Sequence, residues 1–181
     1  MYKSLNRYII IKGVVFIIRL AVYDDLHDIM KVVSETIDLM VLDSNTQWDR
    51  NYPLHQNFKS DIDNSSLYVI EKSKSLGGFI CINNEEPKEY IKMPWSNNNK
   101  FLVIHRMAVS VKYRSNGIGT ELLSYAETLA KDKRIHLIKS DTYSLNPKMN
   151  CLFQKCGYKK IGEMNFLNKP HKFNCYEKSL Y

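Results

Sequence analysis

The apolar positions of this chain form short continuous runs and longer stretches with helical spacing, a pattern that predicts mixed α and β structure. Residues 14–21 are predicted to form a buried first strand. A shorter helix is predicted over residues 53–62, with Pro53 at its first position. Between the two lies a stretch that starts with acidic residues and carries the apolar face of a helix at Leu26, Ile29, Met30, Val33, Ile37, Met40 and Val41.

The order of the later elements predicts part of the topology. The apolar run at residues 100–109, the helix that follows it and the strand at residues 135–142 predict a parallel pair joined by a right-handed crossover. A last helix is predicted from Asn146, as its N-cap, to a stop at Gly157. The remaining predicted strands are residues 66–73, 77–83, 158–164 and 171–181.

Composition indicates a folded protein of ordinary size. The chain has 181 residues, of which 44% are hydrophobic and 25% charged, so a single domain over residues 1–181 is predicted. Residues 1–13 are either a strand-like extension or the result of a start codon assigned too early. Lys12 and Arg19 interrupt the apolar N-terminal stretch, which is too short to span a bilayer, so no membrane association is predicted.

The cysteines and the charge exclude several classes of function. The four cysteines form no CxxC pair and the histidines no HExxH motif, which predicts reduced thiols, a cytoplasmic location and no metal. The net charge of +7 could serve nucleic acid, an anionic membrane surface or a polyanionic small ligand. The basic residues are scattered, however, which disfavours a nucleic-acid-binding arm.

The stretch RSNGIG, residues 114–119, lies between the predicted strand and helix and is either a tight turn or a loop that holds an anion. The lysine of a phosphate-binding P-loop is missing, and Leu122 stands where a dinucleotide-binding fingerprint needs its third glycine. Gly117 and Gly119 would still allow close approach of a ligand, and Arg114 adds a cation beside the helix N-terminus. A diphosphate is the expected anion.

Three stretches, IHRMAVSVKYRSNGIGTELLSYAETLA, SDTYSLN and LFQKCGYKKIGE, together resemble the GNAT superfamily of acetyl-CoA-dependent N-acetyltransferases. Its Arg-x-x-Gly-x-Gly signature matches at Arg114, Gly117 and Gly119, and the strand before it ends in Met-Ala-Val. The resemblance is good over residues 101–161, whereas the first hundred residues match only in the order of elements. It implies an α/β fold with a central mixed, mostly antiparallel sheet, a splayed parallel pair at the fourth and fifth strands, and roughly four flanking helices.

The resemblance also implies a set of residues for the co-substrate acetyl-CoA. The Val109 amide would polarise the thioester carbonyl, and Asn146 would contact the pantetheine in addition to capping its helix. The pantetheine arm would pair with the backbone of Met107, Ala108 and Val109. The diphosphate would be held by the amides of Arg114, Ser115, Asn116, Gly117, Ile118, Gly119 and Thr120.

Acetyl transfer to an amine requires a group that removes a proton, because an alkylamine has a pKa of about 10.4. His105 is the leading candidate because it shares strand parity with Met107 and Val109, and the alternative is a core histidine. Asp141 on the next strand is the second candidate. Phe153 stands where the family often has a tyrosine that protonates the thiolate, so water or Tyr143 would serve instead, and Phe153 could pack on the sulfur.

The acceptor is left open by the sequence. Trp48, Asp49, Tyr52 and Trp95 lie in predicted loops and could line a pocket for an amine, although the aromatic residues could equally fold onto the core. A small amine, an amino acid, an antibiotic and a protein N-terminus all fit. Two alternatives are a non-catalytic acyl-CoA-binding module, suggested by Phe153, and a basic ribosome- or RNA-associated binder. The C-terminal strand could also pair between two copies in a homodimer.

Overall fold

The computed structural model of the protein describes residues 6–96 and 100–180, which form eight strands and four α-helices. None of the helices in these ranges has the length and apolar character needed to cross a bilayer. The helices are α1 (Leu26–Leu42), α2 (His55–Asp63), α3 (Ile118–Asp132) and α4 (Pro147–Lys155). The strands are β1 (Arg7–Ile11), β2 (Val14–Leu20), β3 (Leu67–Lys72), β4 (Ser75–Asn83), β5 (Phe101–Val109), β6 (Leu137–Tyr143), β7 (Lys159–Met164) and β8 (Phe173–Ser179).

The strands form a mixed sheet in the order β1-β2-β3-β4-β5-β6-β8-β7. β5 and β6 run parallel, from Phe101 opposite Leu137 to Ile104 opposite Ser140. The pairs β1–β2, β2–β3, β3–β4, β6–β8 and β7–β8 are antiparallel. The predicted mixed, mostly antiparallel sheet with one parallel pair and four helices is confirmed. The parallel strands are the fifth and sixth of this chain because β1 adds a strand at the N-terminus.

The chain divides into two compact units. The first contains the described residues up to Leu39 together with Trp48–Cys81 and Arg106–Leu122, and the second contains Met40–Gln47, Ile82–His105 and the chain from Leu123 onward. The single domain over residues 1–181 stays a prediction.

The core of the first unit is built on the apolar face of α1 and on the strands that precede β5. Ile29 and Val33 of α1 are buried, as their helical spacing predicts. The ring of Phe79 on β4 is met edge-on by Phe58 at 5.2 Å and is stacked by Trp48 at 6.5 Å. These aromatic contacts attach α2 and the loop before it to the sheet.

The core of the second unit is largely aromatic. Tyr143 on β6 packs against Phe173 on β8, with 5.1 Å between ring centroids, and Tyr90 packs against Trp95 at 4.7 Å. The buried cluster comprises Tyr90, Trp95, Val103, Tyr143, Met164, Phe173 and Cys175. This cluster joins the long loop after β4 to one face of β6 and β8.

The N-terminal residues form a hairpin. The predicted strand at residues 14–21 is confirmed as β2, and Arg7–Ile11 pairs with it as β1, with Ile11 opposite Val14. Arg7–Ile11 is thus strand, and the choice between an extension and an early start codon for residues 1–13 stays a prediction. Residues 1–5 lie outside the described part of the chain.

The predicted start of the second helix at Pro53 is wrong, because α2 begins at His55. Leu54 is extended, with φ −99° and ψ 162°, and its amide donates to Asn57 Oδ1 at 2.8 Å. This bond caps the helix two residues later than proline alone would indicate. For α4 the prediction is confirmed, since Asn146 Oδ1 accepts a hydrogen bond from the Met149 amide at 3.1 Å.

Gly78 on β4 allows close approach to the end of β5. A Cβ at this position would lie 2.6 Å from the carbonyl oxygen of Ala108 and 3.2 Å from Val109 Cα. Both neighbours are backbone atoms, which can move only if the strands separate. Gly78 therefore holds β4 against the segment of β5 that precedes the glycine-containing loop.

We expect Gly78→Ala to lower the free energy of unfolding by about 1–3 kcal/mol, because the added methyl group forces two backbones apart. Gly162→Ala is the matched control, since its Cβ would meet the flexible Met93 side chain, with Sδ at 3.3 Å. Urea unfolding followed by circular dichroism measures both variants. Equal losses of stability in the two would contradict the close-approach explanation.

Candidate active site

The loop from β5 to α3 leaves several amides at a helix N-terminus. Ser115 and Gly117 have positive φ angles of 60° and 87°, so the chain turns sharply before α3 begins. The first backbone bond of the helix runs from the Glu121 amide to the Gly117 carbonyl, at 3.0 Å. The amides of Ile118, Gly119 and Thr120 precede this bond and lie at the positive end of the helix dipole. This arrangement suits a diphosphate.

The side chain of Arg114 fastens the loop to the first unit. Its Nε donates to the carbonyl of Val109 at 3.1 Å, and its Nη2 donates to Thr36 Oγ1 on α1 at 3.2 Å. These two bonds orient the guanidinium. Asn116 turns back onto the same loop, where its Nδ2 donates to the Arg114 carbonyl at 3.2 Å.

The end of β5 is fixed on its β4 side. The Ser110 amide donates to the Gly77 carbonyl at 2.9 Å, and Gly78 lies against Ala108. The ladder with β6 ends earlier in the chain, at Ile104 opposite Ser140. Met107, Ala108 and Val109 therefore lie beyond the last pair of the parallel ladder, and their proposed pairing with pantetheine stays a prediction.

In the second unit the two candidate bases occupy matching positions on neighbouring strands. Ile104 lies opposite Ser140, so His105 and Asp141 are the next residues of β5 and β6 and alternate onto the same face. His105 Nε2 lies 2.8 Å from Asn83 Oδ1. The Glu85 amide donates to the same oxygen at 2.9 Å, which identifies it as the acceptor. His105 Nε2 therefore carries a proton, and in the neutral ring the lone pair is on Nδ1.

Asp141, the second candidate, is a carboxyl group with a raised pKa. Burial raises the pKa of Asp141 to about 6, although the hydrogen bond from Tyr90 acts in the opposite direction. The Tyr90 hydroxyl donates to Asp141 Oδ1 at 2.8 Å. A carboxyl with this pKa exchanges its proton near neutral pH, as a general base must.

Tyr143 and Phe153, considered for the leaving thiolate, are both buried in the second unit. The Tyr143 hydroxyl accepts from the His171 amide at 3.2 Å and lies 3.0 Å from Thr46 Oγ1. Phe153 stacks on Tyr176 with 5.0 Å between centroids. Their roles in thiolate protonation and sulfur packing stay predictions.

Asn146 uses both atoms of its amide within the second unit. Its Oδ1 caps α4, and its Nδ2 donates to Gln47 Oε1 at 2.9 Å. The cap is confirmed, whereas the contact of Asn146 with pantetheine stays a prediction.

The acceptor candidates separate into two groups. Trp48, Asp49 and Tyr52 share one loop of the first unit, and Trp95 belongs to the second. Both indoles are buried, and Trp95 Nε1 donates to the Tyr90 carbonyl at 2.9 Å. Asp49 Oδ1 accepts from the Asn51 amide at 2.7 Å and so organises its loop. A role of these residues in acceptor binding stays a prediction.

Sequence reasoning missed an ion pair beside Tyr52. Arg106 on β5 donates to both carboxylate oxygens of Asp61 on α2, at 2.9 and 2.6 Å, and to the Tyr52 hydroxyl at 3.1 Å. Burial lowers the pKa of Arg106, but the bonds to Asp61 outweigh it and raise the pKa above its ordinary value. An arginine within an apolar strand was the available signal, because such a charge needs a buried partner.

Comparison with known proteins identifies the family of this chain. The model of the Acetyltransferase (GNAT) family matches residues 33–158. The protein YesJ of Bacillus subtilis (strain 168), an uncharacterized N-acetyltransferase, is 22% identical over 147 residues, which are 78% of this chain and 81% of YesJ.

Solved structures agree in fold. A Staphylococcus aureus Mu50 protein assigned as an acetyltransferase is 32% identical, with a TM-score of 0.72 over 91% of this chain and 99% of that one. The structure of yncA from Salmonella typhimurium, which contains acetyl-CoA, is 14% identical, with a TM-score of 0.69 over 92% of this chain and 94% of yncA. At that identity, yncA shows likeness of fold alone.

Asp141 is expected to make stability depend on pH. Its pKa is about 6 in the folded protein and about 3.9 in an unfolded chain. Its contribution to the free energy of unfolding is therefore complete below about pH 4 and is lost as the pH rises through about 6. Asp141→Asn stays neutral at every pH. Between about pH 4 and 7 the wild type should therefore lose up to about 3 kcal/mol of unfolding free energy that Asp141→Asn does not lose.

Urea unfolding at a series of pH values measures this difference. Asp38→Asn, which removes an exposed carboxylate, is the matched control. A difference between Asp141→Asn and wild type that stays constant with pH would contradict the raised pKa.

Proposed function

This chain belongs to the GNAT family of acetyltransferases and is an acyltransferase, and we propose that it transfers an acetyl group from acetyl-CoA to a primary amine by direct attack in a ternary complex. The observation that carries the proposal is the loop at residues 114–120. It combines the family signature with a sharp turn at Gly117 and with amides that precede the first bond of α3.

The donor side rests on the residues of this loop and of β5. The amides from Arg114 to Thr120 bind the diphosphate, and the Arg114 guanidinium adds charge beside them. The backbone of Met107, Ala108 and Val109 pairs with the pantetheine, and the Val109 amide donates to the thioester carbonyl as it gains negative charge. Gly78 supports this backbone from the β4 side.

The reaction needs the acceptor amine to lose its proton. The amine nitrogen bonds to the carbonyl carbon, the carbon–sulfur bond breaks, and the thiolate takes up a proton. His105 is proposed as the base through Nδ1, because Asn83 holds the proton on Nε2. Asp141 is the alternative base, supported by its pKa of about 6.

The proposed acceptor is a primary amine. Asp49 and Tyr52 are proposed to face it, together with Trp48 and Trp95. An amine panel read by mass spectrometry of the products would identify the acceptor.

Phe153 cannot donate a proton, so water or the Tyr143 hydroxyl is proposed to protonate the thiolate. The thiolate leaves readily, because the pKa of its thiol is about 8.5.

Arg114→Ala is expected to weaken CoA binding by about 1.5–3 kcal/mol, the usual contribution of a hydrogen bond to a charged group. Thr36→Val is the matched control, because it removes a hydroxyl that Arg114 contacts and leaves the charge in place. Calorimetric titration with CoA measures both. An unchanged affinity in Arg114→Ala would reject the diphosphate assignment.

His105→Ala is expected to lower the acetylation rate with little effect on CoA affinity, because a base acts on the amine rather than on the donor. Asn83→Ala should lower the rate less, since it removes only the group that orients the imidazole. The readout is the pH dependence of kcat/KM. A wild-type pH profile in His105→Ala would exclude His105 as the base.

A further inference from the structure

We propose that Lys12, at the tip of the β1–β2 hairpin, is a binding residue for the diphosphate of acetyl-CoA, an inference that rests on the function proposed above. The hairpin precedes the segment that the family model matches, residues 33–158. The family model therefore assigns Lys12 no role, and the proposal comes from the position of Lys12 in the first unit.

The turn of the hairpin determines the backbone position of Lys12. Ile11 lies opposite Val14, so Lys12 and Gly13 form a two-residue turn. Their φ angles are 49° and 76°, as a type I′ turn requires. A lysine is an uncommon choice at such an angle, where asparagine or glycine is usual. Because the turn has only two residues and the strands on both sides of it are paired, the backbone position of Lys12 is fixed.

The tip of the hairpin contacts the proposed diphosphate loop at consecutive residues. Lys12 Nζ donates to Asn116 Oδ1 at 3.1 Å. The other end of that amide donates to the Arg114 carbonyl, which fixes the orientation of the Asn116 side chain. A Cβ on Gly117 would lie 3.8 Å from Ile11 Cγ2. The hairpin thus touches the loop where the chain turns toward the free amides of α3.

The charge of Lys12 remains available at this position. An ammonium group has three donors, and the bond to Asn116 uses one of them. Asn116 is a neutral partner, so it leaves the positive charge uncompensated, and the side chain is exposed. The two remaining N–H groups can donate hydrogen bonds to phosphate oxygens bound at residues 114–120, and the positive charge of the ammonium attracts the same anion.

The test compares CoA affinity in Lys12→Met, Lys12→Arg and the wild type. Lys59→Met, on the exposed side of α2, is the matched control because it removes the same charge elsewhere in the first unit. Dissociation constants for CoA and for dephospho-CoA, which keeps the diphosphate and lacks the 3′-phosphate, are measured by calorimetry at low salt. Thermal unfolding verifies that each variant is folded.

We expect Lys12→Met to raise the dissociation constant by roughly two- to fivefold, as for an exposed ion pair, with the same factor for both ligands. Lys12→Arg should restore most of the affinity, Lys59→Met should bind as the wild type does, and added salt should shrink the effect. The same factor should persist in an Asn116→Ala background, because Lys12 is proposed to contact the phosphate directly.

Several results would overturn the inference. They are wild-type affinity in Lys12→Met, an equal loss in Lys59→Met, a loss seen with CoA and absent with dephospho-CoA, and disappearance of the effect in the Asn116→Ala background. If the wild type binds CoA and Lys12→Met binds it equally well, the role of Lys12 fails alone. If the wild type does not bind CoA, the proposed function itself fails.

Discussion

The proposed site depends on where the backbone of β5 pairs with β6 and where β4 holds it. From Phe101 to Ile104 the strand pairs with β6, and at the end of that ladder Ser140 Oγ donates to the Ile104 carbonyl at 2.8 Å. Further along, the strand is held from the β4 side, where Gly78 admits close contact and Ser110 bonds to Gly77. Backbone polar groups need partners wherever they are buried. The parallel ladder has ended beyond Ile104, and this is where the pantetheine is proposed to pair with Met107, Ala108 and Val109.

The polar groups near the site are costly to bury, and each is held by a specific partner. Arg106 would be strongly destabilising in an apolar strand without Asp61, whose two oxygens it engages. Asp141 is held by Tyr90, and His105 by Asn83. These contacts stabilise the fold only modestly compared with apolar packing, but they leave each polar side chain a single orientation. A base must have a defined direction as well as a suitable pKa.

Local patterns predicted most of the fold, because they depend on neighbours in sequence. The Asn146 cap, the apolar face of α1 and the strand-helix-strand order from β5 to β6 are all of this kind. The start of α2 was missed because the Asn57 side chain decides it, and proline propensity does not. The partners of the site residues could not be predicted. Asn83 and His105 are 22 residues apart, Tyr90 and Asp141 51, and Lys12 and Asn116 104, and only the folded chain brings them together.

The net charge of +7 becomes informative once the partners of individual cations are known. Arg19 pairs with Asp25 and Glu71, Arg106 with Asp61, and Lys139 with Glu86, so these charges support the fold. The bond of Lys12 goes to Asn116 Oδ1, a neutral oxygen, instead. A cation held by a neutral partner keeps its field, and Lys12 lies beside the loop that leads into α3. The basic composition therefore gives no reason to prefer nucleic acid over the small polyanion proposed for this loop, because part of the charge stabilises the fold.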